Sequence, residues 1–111
     1  MSNFKVETVR DPDFLVWLRD LPCCMRGRHD LRCEGDVMGC HYRRGGRGGT
    51  AFKVSDRRAV PMCFAHHNLQ HNMGELSFWG RFNPMWLIER LDFCYPDKEK
   101  AIIMVQKFQG M

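Results

Sequence analysis

The chain has 111 residues, 44% of them hydrophobic, which suits one domain with a modest core and excludes two independent domains. Its apolar runs are far shorter than the roughly 18 residues of a membrane-spanning helix, and its first residues lack the apolar stretch of a secretory signal. We therefore expect a cytoplasmic protein without a membrane segment, whose net charge of +4 favours an anionic partner.

The first half of the chain predicts a helix, an irregular knuckle and a strand. An apolar stripe over residues 11–21, opened by an Asp-Pro cap and closed by Pro22, predicts the first helix. Residues 23–35 are polar and irregular, which is typical of a knuckle held by a metal ion. Residues 37–42 then indicate a short strand, and the glycine-rich segment 43–50 a flexible loop.

The second half predicts a second strand followed by helices. Residues 59–63 indicate a strand, in which Pro61 is tolerated only at an edge or an end. A helix containing three histidines follows directly and ends at Gly74. Two further helices are expected at about 84–93 and 97–108, with aromatic packing before the first of them.

The net charge is concentrated in the middle of the chain. Residues 26–58 hold nine basic and four acidic side chains, whereas residues 1–25 sum to minus one and residues 59–111 sum to zero. A local basic excess beside a histidine cluster favours binding to a polyanion, because phosphate contacts supply affinity and steer the encounter. We expect nucleic acid as the partner, the alternative being a merely solvated basic loop.

One thiol and three imidazoles stand within nine residues, and they are the strongest sign of function. On a helix, His67 and His71 lie one turn apart on one face, whereas His66 is rotated by about 100° from His67. The pair Cys63 and His66 has the spacing of half a structural zinc site, and the other two histidines have the i, i+4 spacing that holds one ion. The segment therefore predicts two separate metal sites.

The remaining cysteines supply candidates for the other half of the zinc site. Six cysteines in a reducing compartment favour metal binding or core packing over disulfides. On the knuckle side Cys23, Cys24 and Cys33 are all candidates, and the residues alone do not choose among them. A tetrahedral zinc ion would compensate for the small apolar area of a hairpin and helix. We expect Cys94 in the core and His29 in an exposed loop.

The order of these motifs resembles that of HNH (His-Me finger) endonucleases, in particular small phage and prophage HNH-type proteins. The matching elements lie between residue 14 and about residue 84, and they are Trp17, Leu21-Pro22-Cys23, His41-Tyr42-Arg43, Gly45 to Gly49, Lys53 with Asp56, Val60-Pro61-Met62-Cys63, His66-His67, His71, Gly74-Glu75 and Phe78-Trp79. The resemblance implies an α+β fold with a small zinc-stabilised ββα-metal core. On this reading residues 1–111 form one domain, with an N-terminal helix at 11–21, the zinc knuckle and core at 22–74, and C-terminal helices at 75–110.

The resemblance also implies hydrolysis of phosphodiester bonds, with DNA as the expected substrate. His41 would be the general base that takes a proton from water, and Asp56 would orient the loop and the base. His67 and His71 would hold a divalent cation, either Mg²⁺, Mn²⁺ or another transition metal. By analogy with phage proteins, a recombination or replication protein would be a further partner.

The family pattern assigns the remaining sites as well. It favours a structural Zn²⁺ site made by Cys23, Cys33, Cys63 and His66. It also implies phosphate contacts from the loop, made by Arg43, Arg44, Arg47 and Lys53.

Two departures from the pattern keep other functions open. Many relatives have a C-x-x-C knuckle, which would need a cysteine where Arg26 stands, and many have an aspartate or histidine ligand where this chain has Cys40. Without that ligand the catalytic ion would rest on two histidines, water and substrate. The alternatives are a noncatalytic, zinc-stabilised nucleic-acid-binding module and a structural or protein-interaction zinc protein.

Overall fold

A computed structural model describes residues 9–43 and 54–111. Over these ranges the elements follow in the order α1 (Pro12–Leu18), β1 (Val37–His41), β2 (Ala59–Cys63), α2 (Phe64–Met73), α3 (Glu75–Trp79), α4 (Pro84–Cys94) and α5 (Lys98–Gln109). The two strands form one sheet, with helices before and after it, which confirms the predicted α+β class. None of the described helices combines the length and apolar character needed to cross a bilayer.

Helix α1 begins where the sequence predicts and ends earlier than predicted, at Leu18 instead of residue 21. The Asp11 side chain accepts a hydrogen bond from the backbone N–H of Phe14 at 3.2 Å, which caps the helix. Beyond the helix, residues 19–21 donate to carbonyls three residues back, so the chain tightens into turns. These turns still carry Leu21 into the core, where it is buried.

The hairpin is antiparallel, and its register pairs Val37 with Cys63 at one end and His41 with Ala59 at the other. All five residues of β2 are buried. One of them, Pro61, has no backbone N–H and so cannot donate a hydrogen bond to the neighbouring strand. Helix α1 packs tightly on β1, because a Cβ atom at Gly39 would lie only 2.9 Å from a methyl group of Leu15. The hairpin thus joins the core through the fully buried β2, while β1 stays partly exposed.

Helix α2 starts without a loop after β2. Cys63 is both the last residue of the strand and the N-cap of the helix, and its Sγ accepts from the backbone N–H of His66 at 3.5 Å. His66 and Gln70 are buried on one side of the helix, while His67 is half-buried and His71 exposed. The prediction that His66 and His67 face different surroundings is therefore confirmed. Gly74 ends the helix with a φ of 87°, a conformation that favours glycine.

The C-terminal part folds as predicted, with one added helix. The aromatic segment after Gly74 forms the short helix α3, whose Phe78 and Trp79 are buried. Helices α4 and α5 lie within one or two residues of their predicted bounds, and the side chains of Asn83 and Asp97 cap them. Their inner faces complete the core with the buried side chains of Leu87, Ile88, Leu91, Ala101, Val105 and Phe108.

Candidate functional site

Three cysteines and one histidine converge where the knuckle meets the start of α2. The ligand atoms of Cys23, Cys33, Cys63 and His66 all lie within 4.8 Å of one another. Cys23 comes from the segment after α1 and Cys33 from the segment before β1, whereas the other two flank the first turn of α2. Three separate segments of the chain thus form one cluster that could hold a metal ion.

The spacing of the cluster fits a tetrahedral ion. The Nδ1 atom of His66 lies 3.2 Å from the Sγ of Cys63, 3.7 Å from that of Cys33 and 3.8 Å from that of Cys23. Sulfur at about 2.3 Å and nitrogen at about 2.0–2.1 Å from a tetrahedral zinc ion stand about 3.6 Å apart. The observed distances scatter around this value, so little movement is needed to bind such an ion.

A hydrogen bond to the second ring nitrogen selects the ligand atom of His66. Its Nε2 lies 3.0 Å from the backbone carbonyl oxygen of Arg28. A carbonyl can only accept, so Nε2 carries the proton and donates, which leaves the lone pair on Nδ1 facing the three sulfurs. At protein metal sites, a histidine ligand usually donates its other ring N–H to a carbonyl or carboxylate in this way.

The thiols of the cluster differ in acidity. Burial raises the pKa of Cys23 to about 12 and also raises that of Cys33. Burial acts in the same direction on Cys63, but hydrogen bonds to its sulfur, first of all that from the backbone N–H of His66, lower its pKa to about 6. Cys63 is therefore the most acidic thiol of the cluster, and a bound cation would be required to deprotonate the other two thiols at neutral pH.

The other cysteines and His29 lie outside this cluster. Cys24 is fully buried in the core, and Cys94 packs partly buried against that core, as predicted for Cys94. His29 is exposed, as predicted, but it is not a free loop side chain. Its ring stacks on Phe78 at 4.5 Å and its Nε2 donates to the Phe78 carbonyl at 2.8 Å, which anchors the knuckle on α3.

A second group of polar side chains surrounds Asp56, before the start of β2. The carboxylate is 4% exposed and accepts from His41 Nε2 at 2.9 Å, from Arg10 Nη1 at 2.9 Å and from the Asp11 backbone N–H at 2.7 Å. Burial raises the pKa of Asp56, but the hydrogen bonds from Asp11 and His41 and the charge of Arg10 outweigh it and lower the pKa overall. The group is therefore ionised at neutral pH and can only accept.

This ionised carboxylate determines the tautomer of His41. Because Asp56 only accepts, His41 must donate through Nε2, and the basic lone pair stands on Nδ1. His41 is the last residue of β1 and its side chain is 30% exposed, so solvent reaches the ring. A half-exposed imidazole oriented by a buried carboxylate has the arrangement of a general base.

His67 and His71 form the second predicted pair. Their Nε2 atoms are 3.1 Å apart, and their ring centroids are 4.7 Å apart. Two nitrogens that share one ion at about 2.1 Å stand about 3.0–3.4 Å apart for octahedral or tetrahedral angles. Burial lowers the pKa of His67, and the neighbouring charges of His71 and then His41 lower it further. His67 is therefore neutral at pH 7, as a metal ligand must be.

Cys40 does not complete a set of three ligands with this pair. It is 2% exposed, and its Sγ donates to the Oε1 of buried Gln70 on α2 at 3.5 Å. Burial, followed by the charge of Glu75, raises the pKa of Cys40 to about 12, so the thiol is neutral. Among the described residues, three or more His, Cys, Asp or Glu side chains come close enough together to hold one metal ion only in the cluster of Cys23, Cys33, Cys63 and His66.

The basic residues divide into structural and exposed ones. Arg57 bonds the carboxylates of Asp11 and Asp92 and covers the ring of Phe14 at 4.7 Å, so it is part of the scaffold. Arg43 is exposed at the end of the hairpin, where its backbone N–H donates to Glu75 at 2.7 Å. The other three predicted phosphate contacts, Arg44, Arg47 and Lys53, lie outside the described residues.

Sequence reasoning missed Arg10 and Asp11 as partners of Asp56. Arg10 and Asp11 stand 46 and 45 positions before Asp56 in the sequence, and no local sequence pattern predicts contacts over such a separation.

Loss of one ligand should release the metal from the cysteine cluster. We expect Cys33→Ser to remove most of the bound metal from the purified protein and to lower the free energy of unfolding by at least about 3 kcal/mol, because the knuckle then loses its attachment to α2. Metal analysis and chemical denaturation measure both effects. Cys94→Ser, a half-buried cysteine outside the cluster, should keep the metal, and equal metal loss in both variants would contradict the assignment.

Removal of the charge at position 56 should destabilise the protein at neutral pH. Asp56→Asn is expected to lower the free energy of unfolding at pH 7 by about 2–3 kcal/mol, because three donors lose an ionised acceptor. Since the pKa is lowered in the folded protein, this contribution is complete above the ordinary value of 3.8 and disappears as the pH falls through the folded value.

Denaturant titrations at several pH values check this expectation. The difference between the wild type and Asp56→Asn should shrink as the pH falls below 3.8. Asp20→Asn, which breaks an exposed pair with Lys98, should stay within about 0.5 kcal/mol of the wild type at every pH. A constant difference between the wild type and Asp56→Asn at all pH values would refute the role of the charge.

Comparison with protein-family models, with curated proteins and with solved structures finds no match to this chain. Its function must therefore be inferred from the chemistry of the cysteine cluster and the histidine groups.

Proposed function

We propose that the protein is a metal-dependent endonuclease of the HNH type, which hydrolyses phosphodiester bonds in DNA. One observation carries the proposal: an imidazole oriented by a buried carboxylate at the end of β1 lies close enough to the histidine pair of α2 to lower the pKa of His67. A general base and a two-histidine metal site thus share one electrostatic neighbourhood, which is the combination that assisted hydrolysis of a phosphodiester needs.

The order of elements supports the finer fold assignment. A hairpin runs directly into a helix, and the cysteine cluster ties the knuckle to the first turn of that helix. This is the arrangement expected of a ββα-metal core, with α1 before it and α3 to α5 after it. We propose Zn²⁺ for the cluster, because three thiols and one imidazole form a closed, sulfur-rich set of the kind found in structural zinc sites.

In the proposed reaction, each group of the second site has its own task. His41 Nδ1 removes a proton from the attacking water, while Asp56 holds Nε2–H and stabilises the imidazolium that forms. His67 and His71 would hold one divalent cation, which supplies charge neutralisation at the scissile phosphate and at the leaving oxygen. Two imidazole ligands favour Mn²⁺ or another transition metal over Mg²⁺.

The substrate would be positioned by basic side chains beside the hairpin. Arg43 is exposed at the end of β1, and Arg44, Arg47 and Lys53 belong to the same segment of sequence. Contacts from these residues would position the phosphates without reading bases, so we expect affinity that falls steeply with salt and shows little sequence preference.

The environment of Cys40 favours a second candidate function. A neutral, buried thiol paired with Gln70 leaves only two protein ligands for the catalytic ion. A noncatalytic, zinc-stabilised module that binds nucleic acid would keep the cysteine cluster and the basic segment and dispense with the reaction. Salt-dependent DNA binding by the wild type, with no cleavage in any divalent metal, would support this alternative.

Removal of the proposed base should abolish cleavage without unfolding the protein. We expect His41→Ala to slow plasmid nicking by about 10²–10⁴-fold, because a positioned general base contributes that much to proton transfer. Arg10 and Asp11 still bond Asp56 in this variant, so the metal content and the melting temperature should change little. Gln106→Ala, an exposed change on α5, is the control, and nicking by His41→Ala at the wild-type rate would refute the proposal.

The neighbouring histidines of α2 should respond differently to substitution. We expect His67→Ala to lose metal-stimulated nicking and to keep the tightly bound ion of the cysteine cluster. His66→Ala should lose that ion and much of its stability, because its Nδ1 faces the three sulfurs.

Nicking assays across Mg²⁺, Mn²⁺, Ni²⁺ and Zn²⁺, combined with metal analysis, distinguish the two variants. Asn72→Ala, an exposed change on the same helix, should match the wild type in both assays. If His67→Ala also lost the tightly bound ion, the two sites would not be separate.

A further inference from the structure

An aromatic cleft lies between the start of α4 and the end of α5, and neither metal site uses it. Its volume is about 260 Å³, and it is lined by Arg81, Phe82, Asn83, Trp86, Phe108 and Met111. This volume is slightly below the range of about 300–1,000 Å³ that is typical of pockets for drug-sized ligands. The cleft therefore suits a single planar ring system better than a larger molecule.

Three aromatic rings form the cleft. Phe108 is 2% exposed and forms the floor, and the half-buried rings of Phe82 and Trp86 stand beside it. Their centroids lie 6.4 Å and 6.3 Å from that of Phe108, and the Trp86 ring is inclined by only 28° to it. Partly exposed rings held in fixed positions are the usual platform for stacking of a base.

The charge around these rings is positive. Arg28 and Arg81 lie over the ring of Phe82 at 4.3 Å and 5.1 Å, and Arg90 lies over that of Trp86 at 4.1 Å. The described residues that line the cleft include no aspartate or glutamate. The N-terminus of α4, which begins at Pro84, adds partial positive charge at the same edge. An uncharged apolar peptide would gain nothing from three guanidinium groups, whereas a base with its phosphates would.

We infer that this cleft binds an unpaired nucleobase of a DNA strand, with the surrounding arginines on its flanking phosphates. The inference deepens the proposed function and rests on it for the identity of the ligand. A chain of ring contacts links the cleft to the hairpin, since Tyr42 packs against Trp79 at 6.1 Å and Trp79 against Phe108 at 6.3 Å. Tyr42 follows His41 in sequence, so the cleft lies two ring contacts from the residue beside the proposed base, and we expect unpaired DNA to be the preferred substrate.

The test measures binding of fluorescein-labelled single-stranded DNA by anisotropy, in a His41→Ala background without added divalent metal so that no strand is cut. A second probe of equal length has the same phosphates and abasic sugars. We expect Trp86→Leu to weaken binding of the base-containing strand by about 5- to 100-fold, as loss of one stacking platform does, and to leave binding of the abasic strand unchanged. Trp86→Phe, which keeps a ring, should retain most of the affinity.

Phe93→Leu is the matched control, because Phe93 lies on the same helix and its side chain is 89% exposed. It should bind both probes like the parent protein. Equal binding of the base-containing strand by Trp86→Leu and the parent would overturn the inference, as would an equal loss on both probes.

The two proposals fail in different ways. If only the base-binding inference is wrong, wild-type protein nicks plasmid and Trp86→Leu binds the strand like the parent. If only the nuclease proposal is wrong, Trp86 still governs binding of the base-containing strand and wild-type protein cleaves nothing. A parent protein that binds neither probe would overturn the inference together with its premise.

Discussion

The absence of any loop between β2 and α2 is the constraint on which the rest of the structure depends. Cys63 ends the strand, caps the helix and contributes a sulfur to the cysteine cluster. Because one residue has all three roles, the direction of α2 relative to the hairpin is set at its first turn. The knuckle then attaches to this junction through Cys23 and Cys33, whose sulfurs lie 3.8 Å and 3.7 Å from His66 Nδ1.

This rigid junction explains how consecutive histidines serve different purposes. The helical rotation of about 100° per residue carries His66 into the core and leaves His67 beside the solvent-facing His71. With a flexible connection, α2 could rotate relative to the hairpin. Neither the distances within the cysteine cluster nor those around the pair of His67 and His71 would then be maintained. The same ten-residue helix therefore holds a structural cluster on one side and a candidate reactive pair on the other.

Asp56 is the second anchor, and it acts through charge. One buried carboxylate collects donors from the N-terminal segment and from the end of β1, so folding of α1 and orientation of His41 depend on the same group. The cost of burying the charge is offset by these three hydrogen bonds. Stability and the proposed chemistry are thus linked at this position.

Local patterns in the sequence were sufficient for the elements and for part of the sites. Helical spacing, capping residues and glycine or proline breaks predicted the hairpin, α2, α4 and α5 within one or two residues, because these signals act over a few neighbouring positions. The spacing of Cys63, His66, His67 and His71 likewise predicted which pairs share a face. The choice of Cys23 and Cys33 came from the family resemblance, and the structure brings these two together with Cys63 and His66.

Only the tertiary structure decided the contacts between distant segments. Arg10 and Asp11 reach Asp56, Arg57 is used in the scaffold, and Cys40 turns toward Gln70. The aromatic cleft likewise combines rings from α4, from the end of α5 and from the segment between α3 and α4. Such contacts depend on how whole elements pack, and no spacing along the chain encodes them. The sequence by itself determined which residues could bind a metal ion, and packing decided which of them meet.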